Sequence, residues 1–249
     1  MIFLKKTTSP LKKLFISTPF ERNEKQCVIC HVCLETILSN HSTTFMTIIK
    51  TIIFDLGGVL IDWNPDYVFN TLITDDKRRQ FFFEHVCPYS WNVEQDAGHT
   101  FEDATNERIA LFPDWENEIR AYYGRWEEML GGPIQPTVDV FKALKDKDLY
   151  QIVALTNWSH ESFPVALARY DFLGWFDGIV VSGVEKTRKP FLPIYQILLE
   201  RYDVEPTTAV FIDDSLPNIE AARSLGIHGI HFQSAAQLQR DLQDLGVHT

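Results

Sequence analysis

The sequence has no apolar run approaching the roughly 20 residues that a membrane-spanning helix needs. It also lacks an excess of positive charge, because 23 Lys and Arg residues stand against 34 Asp and Glu residues, a net charge of -11. Nucleic acids bind proteins largely through cationic side chains that displace counterions, so a nucleic acid partner is not expected. We therefore expect a soluble protein that is neither embedded in a membrane nor bound to nucleic acid.

Cysteine is scarce after residue 45, where only Cys87 occurs. The other three lie within Cys27–Cys33, and Cys27–His31 matches the spacing of a haem attachment site. The sequence supplies no evidence of export or of a haem pocket, and no second ligand pair follows at the spacing of a zinc finger. We expect neither group, no disulfide scaffold, and a location in the reducing cytoplasm.

The first 45 residues differ from the rest of the chain in charge. They carry six Lys or Arg and three Glu, whereas the remainder is strongly acidic. They show no amphipathic period, and Met46 stands just before the first strong strand signal. Two interpretations are open: residues 1–45 are a disordered extension, or Met46 is the true start. A secretory signal is disfavoured because Leu11–Phe20 is interrupted by lysine and proline.

The rest of the chain is organised around residues 52–60, where β-branched and aromatic residues end in Asp55, followed closely by Gly57 and Gly58. The pattern predicts a buried strand that delivers a carboxylate to a turn. At the carboxyl edge of an open α/β sheet, such a group lies where ligands bind. Asp55 is therefore a candidate nucleophile, although on this stretch alone an Asp that begins a turn is about equally expected.

The remaining pattern predicts an α/β protein with a doubly wound parallel sheet and a small helical cap. Residues 66–130 interleave aromatic and charged residues at helical spacing, and we assign them to the cap, with the aromatic residues mainly packing its interior. Residues 46–65 and 131–249 form the core, since strands and helices alternate there. The expected strands are 49–55, 151–155, 178–181, 209–212 and 229–232; the expected helices are 136–146, 160–170, 191–203, 217–225 and 235–244.

Polar residues follow the predicted strands, at positions where packing of a hydrophobic core alone would not require a polar side chain. Thr156 and Asn157 follow the strand at 151–155, Asp213 and Asp214 follow the strand at 209–212, and Lys189 precedes a helix. If the sheet is parallel, these residues converge with Asp55 on one edge. Several converging carboxylates require a compensating cation, and a metal ion is the natural one.

These four segments, in this order, resemble the haloacid dehalogenase-like (HAD) hydrolase superfamily, with its Rossmann-like core. Phe54–Leu60 resembles its first motif, Leu155–Asn157 its second, Lys189-Pro190 its third and Ile212–Asn218 its fourth. The helical segment between the first and second motifs resembles a type-1 cap. Members with Asp-Leu-Gly in the first motif, as here, include phosphatases of sugar 1-phosphates.

The resemblance implies a role for each candidate residue. Asp55 would attack phosphorus and form an aspartyl-phosphate, and Lys189 would neutralise charge on the transferred group. Thr156, Asn157 and Gly58 would hold the phosphoryl oxygens, with the amide of Asn157 at a helix start. The implied cofactor is Mg²⁺, with ligands from Asp55, the Gly57 carbonyl, Asp214 and Asp213, the last either directly or through another group.

Gly57 departs from the pattern of many family phosphatases, which place there a second Asp as general acid and base. Either a cap residue or water replaces that acid, or the leaving group needs little help, as an anomeric sugar oxygen does. Asp62 is also near, but we interpret it as an exposed residue after a turn.

The favoured function is a Mg²⁺-dependent phosphatase acting on a small phosphorylated metabolite, with a sugar phosphate among the candidates. The protein is expected to be a monomer or homodimer. The alternatives are a 2-haloacid dehalogenase, which needs no leaving-group proton but also no metal, and a non-catalytic binding protein of the same fold.

Overall fold

The computed structural model describes residues 48–249, so the predictions made for residues 1–45 lie outside the described part of the chain. Within 48–249, five parallel strands form one sheet in the order β5-β4-β1-β6-β7. The strands are β1 (Thr51–Phe54), β4 (Gln151–Thr156), β5 (Gly178–Val181), β6 (Ala209–Asp213) and β7 (His228–His231). The predicted doubly wound parallel sheet is confirmed, and each predicted strand is present with bounds shifted by at most two residues.

Helices cover both faces of this sheet. They are α6 (Gln135–Lys147), α7 (Phe163–Arg169), the short α8 (Ser182–Glu185), α9 (Leu192–Arg201), α10 (Leu216–Ser224) and α11 (Ala235–Asp244). Alternate residues of β1 enter different hydrophobic clusters: Ile52 and Phe54 share one with residues of α6 and α11, and Ile53 joins another with residues of α9 and α10. This alternation is what the two-residue period of a strand requires when both faces are buried.

The helical insertion lies between two further strands, β2 (Ile61–Trp63) and β3 (Leu130–Pro133), which pair in antiparallel fashion. The insertion contains α1 (Asp66–Leu72), α2 (Asp76–Phe81), α3 (Tyr89–Gln95), α4 (Phe101–Leu111) and α5 (Glu116–Gly124). The sequence pattern predicted these helices but missed both strands. Gly131, Gly132 and Pro133 have low strand propensity, which is why the sequence pattern does not indicate β3.

The aromatic residues of the insertion serve two purposes. Phe82, Trp115 and Tyr122 are buried in its interior, as predicted. Phe101 and Tyr123, however, stack with ring centroids 3.9 Å apart and line a cavity. Among residues 48–249, no helix is both long enough and apolar enough to span a bilayer.

Candidate active site

Three strands deliver polar residues to one edge of the sheet. Phe54 at the end of β1 is in register with Ala154 of β4 and Ile212 of β6. The next residues along these strands therefore meet at the carboxyl edge. The predicted convergence is observed: Asp55, Asp213 and Asp214 can each offer a carboxylate oxygen within 4.8 Å of the others.

Lys189 lies between these acids and is almost completely buried, with 1% of its surface exposed. Its Nζ is 2.7 Å from Asp55 Oδ1 and 2.7 Å from Asp213 Oδ2, and it donates to the Leu155 carbonyl at 2.9 Å. Burial alone would lower the pKa of the Lys189 ammonium, but the two carboxylates reverse this and raise it. The lysine is thus a fixed positive charge inside the acidic edge.

Asp55 is buried, and one of its two carboxylate oxygens contacts donors of the protein. Its Oδ1 accepts a hydrogen bond from the Leu56 amide at 2.7 Å and faces Lys189, while no donor among residues 48–249 binds Oδ2. Burial raises the pKa of the Asp55 carboxyl well above its ordinary value, and Asp213 adds to this, whereas Lys189 opposes it. A bound cation would favour the ionised form that a nucleophile requires.

Asp213 and Asp214 are adjacent but differ in environment. Asp213 has no exposed surface, and its oxygens accept from Lys189, from the Ser215 amide at 2.7 Å and from Asn218 Nδ2 at 3.0 and 3.1 Å. Asp214 lines the cavity and part of its surface is exposed there. The partial burial of its carboxyl group, together with the charge of Asp213, raises the pKa of that group. Within residues 48–249, no donor hydrogen-bonds to the Asp214 carboxylate, whereas the oxygens of Asp213 are already hydrogen-bonded.

The two glycines of the first turn have different roles. Gly58 has φ of +73°, and a Cβ at this position would overlap the Asp214 carboxylate. Gly57 does not adopt a left-handed conformation, and a Cβ there would meet no atom within 4 Å. Only glycine lets the backbone at position 58 lie against Asp214, because no side chain stands between them. Position 57, in contrast, has room for a side chain.

Thr156 and Asn157 lie at the carboxyl end of β4, but Thr156 does not line the cavity and Asn157 does so in an arrangement other than the predicted one. Thr156 is buried at the end of β4, and its Oγ1 has no hydrogen-bond partner within residues 48–249. The sequence predicts a helix start at Asn157, but the next helix, α7, begins only at Phe163. Its side chain instead donates to the Lys189 carbonyl at 3.0 Å and accepts from the Lys189 amide at 2.8 Å. Asn157 thus holds the backbone of the lysine.

A cavity of about 260 Å³ opens above these residues. Its wall includes Asp55, Lys189 and Asp214 from the sheet edge and Asp96 from the helical insertion. Six aromatic residues also line it: Trp63, Tyr89, Phe101, Tyr123, Trp126 and Trp158. The sequence did not single out Asp96, because the insertion contains many acids and nothing in their spacing indicates which one faces inward.

Asp62 was interpreted as an exposed residue after a turn, and this was wrong. It lies in β2, is partly buried, and accepts a hydrogen bond from the Tyr67 hydroxyl. Asp62 is not among the residues that line the cavity. Its carboxylate therefore links β2 to α1.

The parallel sheet, the acidic edge with its lysine and the helical insertion define a class of cap-bearing α/β hydrolases. Residues 49–226 match the model of the haloacid dehalogenase-like hydrolases, and the chain belongs to that family. The structure is similar to a predicted HAD-like hydrolase of Porphyromonas gingivalis, with a TM-score of 0.60 and 20% identity over 81% of this chain and all of that one. It is also similar to a HAD family enzyme of Bacteroides thetaiotaomicron solved with magnesium and inorganic phosphate, with a TM-score of 0.58 and 22% identity over 75% and 95% of the two chains.

Several curated relatives are phosphatases. A sesquiterpene phosphatase of Aspergillus oryzae is 28% identical over 206 residues, 80% of this chain and 97% of the relative. A phosphatase of phosphorylated carbohydrates from Thermotoga maritima is 26% identical over 189 residues, 73% and 84% of the two chains. The chain matches only 36% of a drimenol cyclase of Aspergillus calidoustus, at 28% identity over 200 residues. The protein is therefore a hydrolase of a family that includes phosphatases.

Proposed function

We propose that this protein is a Mg²⁺-dependent phosphatase that hydrolyses a small phosphorylated metabolite through an aspartyl-phosphate on Asp55. The observation that carries the proposal is the contact of the buried Asp55 carboxylate with the Lys189 ammonium, 2.7 Å away, at the floor of a cavity. A solvent-shielded carboxylate beside a fixed positive charge suits attack on a dianionic phosphate. The phosphatases among the relatives support the same reaction.

In this proposal, Asp55 attacks phosphorus with Oδ2, the carboxylate oxygen that no donor within residues 48–249 holds. Lys189 neutralises the negative charge that gathers on the transferred group and keeps the Asp55 side chain oriented. Asn157 positions Lys189 through its two hydrogen bonds to the lysine backbone. The buried Thr156 hydroxyl, which lacks a partner among the described residues, and the backbone at Gly58 and Asn157 bind the phosphoryl oxygens.

The residues at this edge fit a divalent cation. Three carboxylates can offer oxygens within 4.8 Å of one another, and the absence of a side chain at Gly58 lets the Asp214 carboxylate lie against the first turn. Asp55, Asp214 and the Gly57 carbonyl would hold Mg²⁺, which prefers oxygen ligands. Asp213, whose oxygens are hydrogen-bonded, would fix Lys189 and the metal-bearing loop instead of binding the metal directly. When bound, the ion supplies charge neutralisation for the phosphate.

The cavity limits the organic part of the substrate. At about 260 Å³ it lies near the lower end of ligand-binding cavities, and its aromatic walls suit a sugar ring or a short apolar group. A sugar phosphate is therefore a candidate substrate, and the similarity to a sesquiterpene phosphatase makes an isoprenoid phosphate a second candidate. A 2-haloacid dehalogenase has less support, since that reaction needs no metal ion, whereas Asp213 and Asp214 beside Asp55 suit one.

We also propose a cytoplasmic location. The only cysteine within residues 48–249 is the buried Cys87, so this part of the chain holds no disulfide, which suits a reducing compartment. A monomer or a homodimer remains our prediction for the assembly.

The test is phosphate release by the purified protein from a panel of sugar, isoprenoid, carboxylic acid and nucleotide monophosphates, with Mg²⁺ and with a chelator. We expect turnover of at least one compound, its loss with chelator, and its loss in Asp55→Asn, which keeps the shape of the side chain but is a poor nucleophile. Turnover by Asp55→Asn at a substantial fraction of the wild-type rate would remove Asp55 from the nucleophilic role.

A further inference from the structure

The leaving oxygen of a phosphate ester needs a proton, and the first turn does not provide one. Gly57 stands where a carboxylic acid would have to be, and the Lys189 ammonium is already held by Asp55, Asp213 and the Leu155 carbonyl. An alkoxide that departs without a proton carries its full charge in the transition state, which slows cleavage of alkyl esters. Another group on the cavity wall therefore has to be considered as the acid.

Asp96 is the only carboxylic acid of the helical insertion among the residues that line the cavity. It follows α3 directly, in a turn closed by hydrogen bonds from the Ala97 amide to Glu94 and from the Gly98 amide to Gln95. No histidine or cysteine of residues 48–249 lines the cavity. Apart from Asp55, Lys189 and Asp214 of the sheet edge, the other titratable residues that line the cavity are Tyr123 and Tyr89, and Tyr89 has 70% of its surface exposed.

Contacts with the core hold this turn in place. Gly98 has φ of +98°, and a Cβ built on it would be 3.1 Å from the Gly183 carbonyl and 3.2 Å from the Lys186 side chain. Arg188 also reaches Glu94 at 3.6 Å. A backbone contact at Gly98 and a side-chain ion pair at Glu94 therefore hold the turn against the core, and Asp96 lies between them and lines the same cavity as Asp55.

We infer that Asp96 is the general acid and base of the reaction, supplied by the helical insertion in place of the carboxyl group absent from position 57. This inference rests on the proposed phosphatase function. It chooses one of the alternatives that the sequence left open, namely an acid from the cap.

The two half-reactions balance with Asp96 as the only proton carrier. In the first, an Asp55 oxygen forms a bond to phosphorus, the bond from phosphorus to the ester oxygen breaks with its electron pair on oxygen, and that oxygen takes the Asp96 proton. In the second, water attacks the aspartyl-phosphate while the Asp96 carboxylate takes its proton. The bond from phosphorus to Asp55 breaks, and its electrons return to the Asp55 carboxylate. Phosphate and an alcohol are the products, and Asp96 is protonated again.

The surroundings of Asp96 suit a group that must both give and take a proton near neutrality. Burial raises the pKa of the Asp96 carboxyl to about 7, while the charges of Arg188 and Lys189 oppose the rise. The other titratable groups that face it are the hydroxyls of Tyr89, Tyr122 and Tyr123, all of which stay neutral because burial raises their pKa values. No donor within residues 48–249 hydrogen-bonds to the Asp96 carboxylate, so it is available to a substrate.

The test compares Asp96→Asn with wild type on substituted phenyl phosphates and n-butyl phosphate, measured as kcat/KM with Mg²⁺. The matched control is Asp114→Asn, the same change at an exposed position of the insertion that does not line the cavity. We expect a shallow dependence on leaving-group pKa in wild type and in the control, and a steep one in Asp96→Asn. On n-butyl phosphate the loss should be on the order of 100-fold or more, and on para-nitrophenyl phosphate only about threefold.

Two further measurements separate acid catalysis from a structural effect. Gly57→Asp combined with Asp96→Asn should recover part of the n-butyl phosphate activity, because position 57 has room for a side chain. In wild type, kcat/KM for n-butyl phosphate, divided by that for para-nitrophenyl phosphate, should fall as the pH rises through about 7. This ratio needs no variant and tests the inference even if Asp96→Asn fails to fold.

An equal loss on all esters in Asp96→Asn, or a pH-independent ratio in wild type, would overturn the role of Asp96 and leave the phosphatase function standing. A wild-type protein that releases no phosphate from any ester or metabolite would overturn the phosphatase function as well.

Discussion

The Nζ of Lys189 lies 2.7 Å from Oδ1 of Asp55, in a position where the lysine has 1% of its surface exposed. Lys189 also contacts Asp213 at 2.7 Å. Among the described residues, Lys189 is therefore the only cationic side chain that contacts both buried acids, Asp55 and Asp213. This arrangement leads to the first prediction.

Lys189→Met should abolish phosphatase activity and lower the free energy of unfolding by about 3–5 kcal/mol, because two buried carboxylates lose their cation. Urea denaturation and phosphate release measure the two effects. Lys142→Met is the control, since Lys142 pairs with Asp146 on the surface of α6 and its loss should cost about 0.5 kcal/mol or less. Equal stability of the two variants would show that the Lys189 contacts contribute little.

Gly58→Ala should disturb the metal site. The left-handed backbone disfavours a Cβ by about 1–2 kcal/mol, and the methyl group would push the Asp214 carboxylate away. We expect weaker Mg²⁺ binding, measured by calorimetry, together with a lower melting temperature. Gly57→Ala serves as the control for folding, because its Cβ meets no neighbour, and its melting temperature should match that of wild type. A Gly58→Ala protein with wild-type Mg²⁺ affinity would contradict the close approach.

Asp214→Ala should raise the Mg²⁺ concentration needed for half-maximal activity by tenfold or more, or abolish activity, since an exposed carboxylate with free oxygens is lost. Asp213→Asn should instead mainly impair folding stability, because Asp213 accepts from Lys189, Ser215 and Asn218. Metal titrations of activity and thermal melts distinguish the two roles. An unchanged Mg²⁺ requirement in Asp214→Ala would transfer the direct ligand role to Asp213.

Asp96 should make the protein less stable as the pH rises. Its pKa is raised from 3.8 to about 7 in the folded state, so the folded protein binds more protons than the unfolded chain between these values. The stability that this group contributes is complete below 3.8 and lost as the pH rises through about 7. Asp96→Asn carries no charge at any pH, so its melting temperature relative to wild type should be higher at pH 8 than at pH 4. A pH-independent difference would contradict the raised pKa.

The parallel sheet and the sheet-edge half of the site could be predicted from the sequence alone. Buried strands such as β1 consist of consecutive β-branched and aromatic residues, a signal that does not depend on distant parts of the chain. Parallel strands end at the same edge, so polar residues directly after β1, β4 and β6 had to meet. Asp55, Thr156, Asp213 and Asp214 could be placed together for that reason alone.

The residues that complete the site are brought there by contacts between distant segments of the chain. Asn157 hydrogen-bonds to Lys189, which lies 32 residues later in the sequence. Gly58 lies against Asp214, and these two residues are much farther apart in the sequence. Asp96 reaches the cavity because the turn after α3 packs on Gly183, a contact that no local pattern encodes. Local propensity specifies strands and helices, whereas the direction in which a cap acid points depends on how two distant segments pack. The acid of the insertion that lines the cavity could therefore be recognised only in the folded protein.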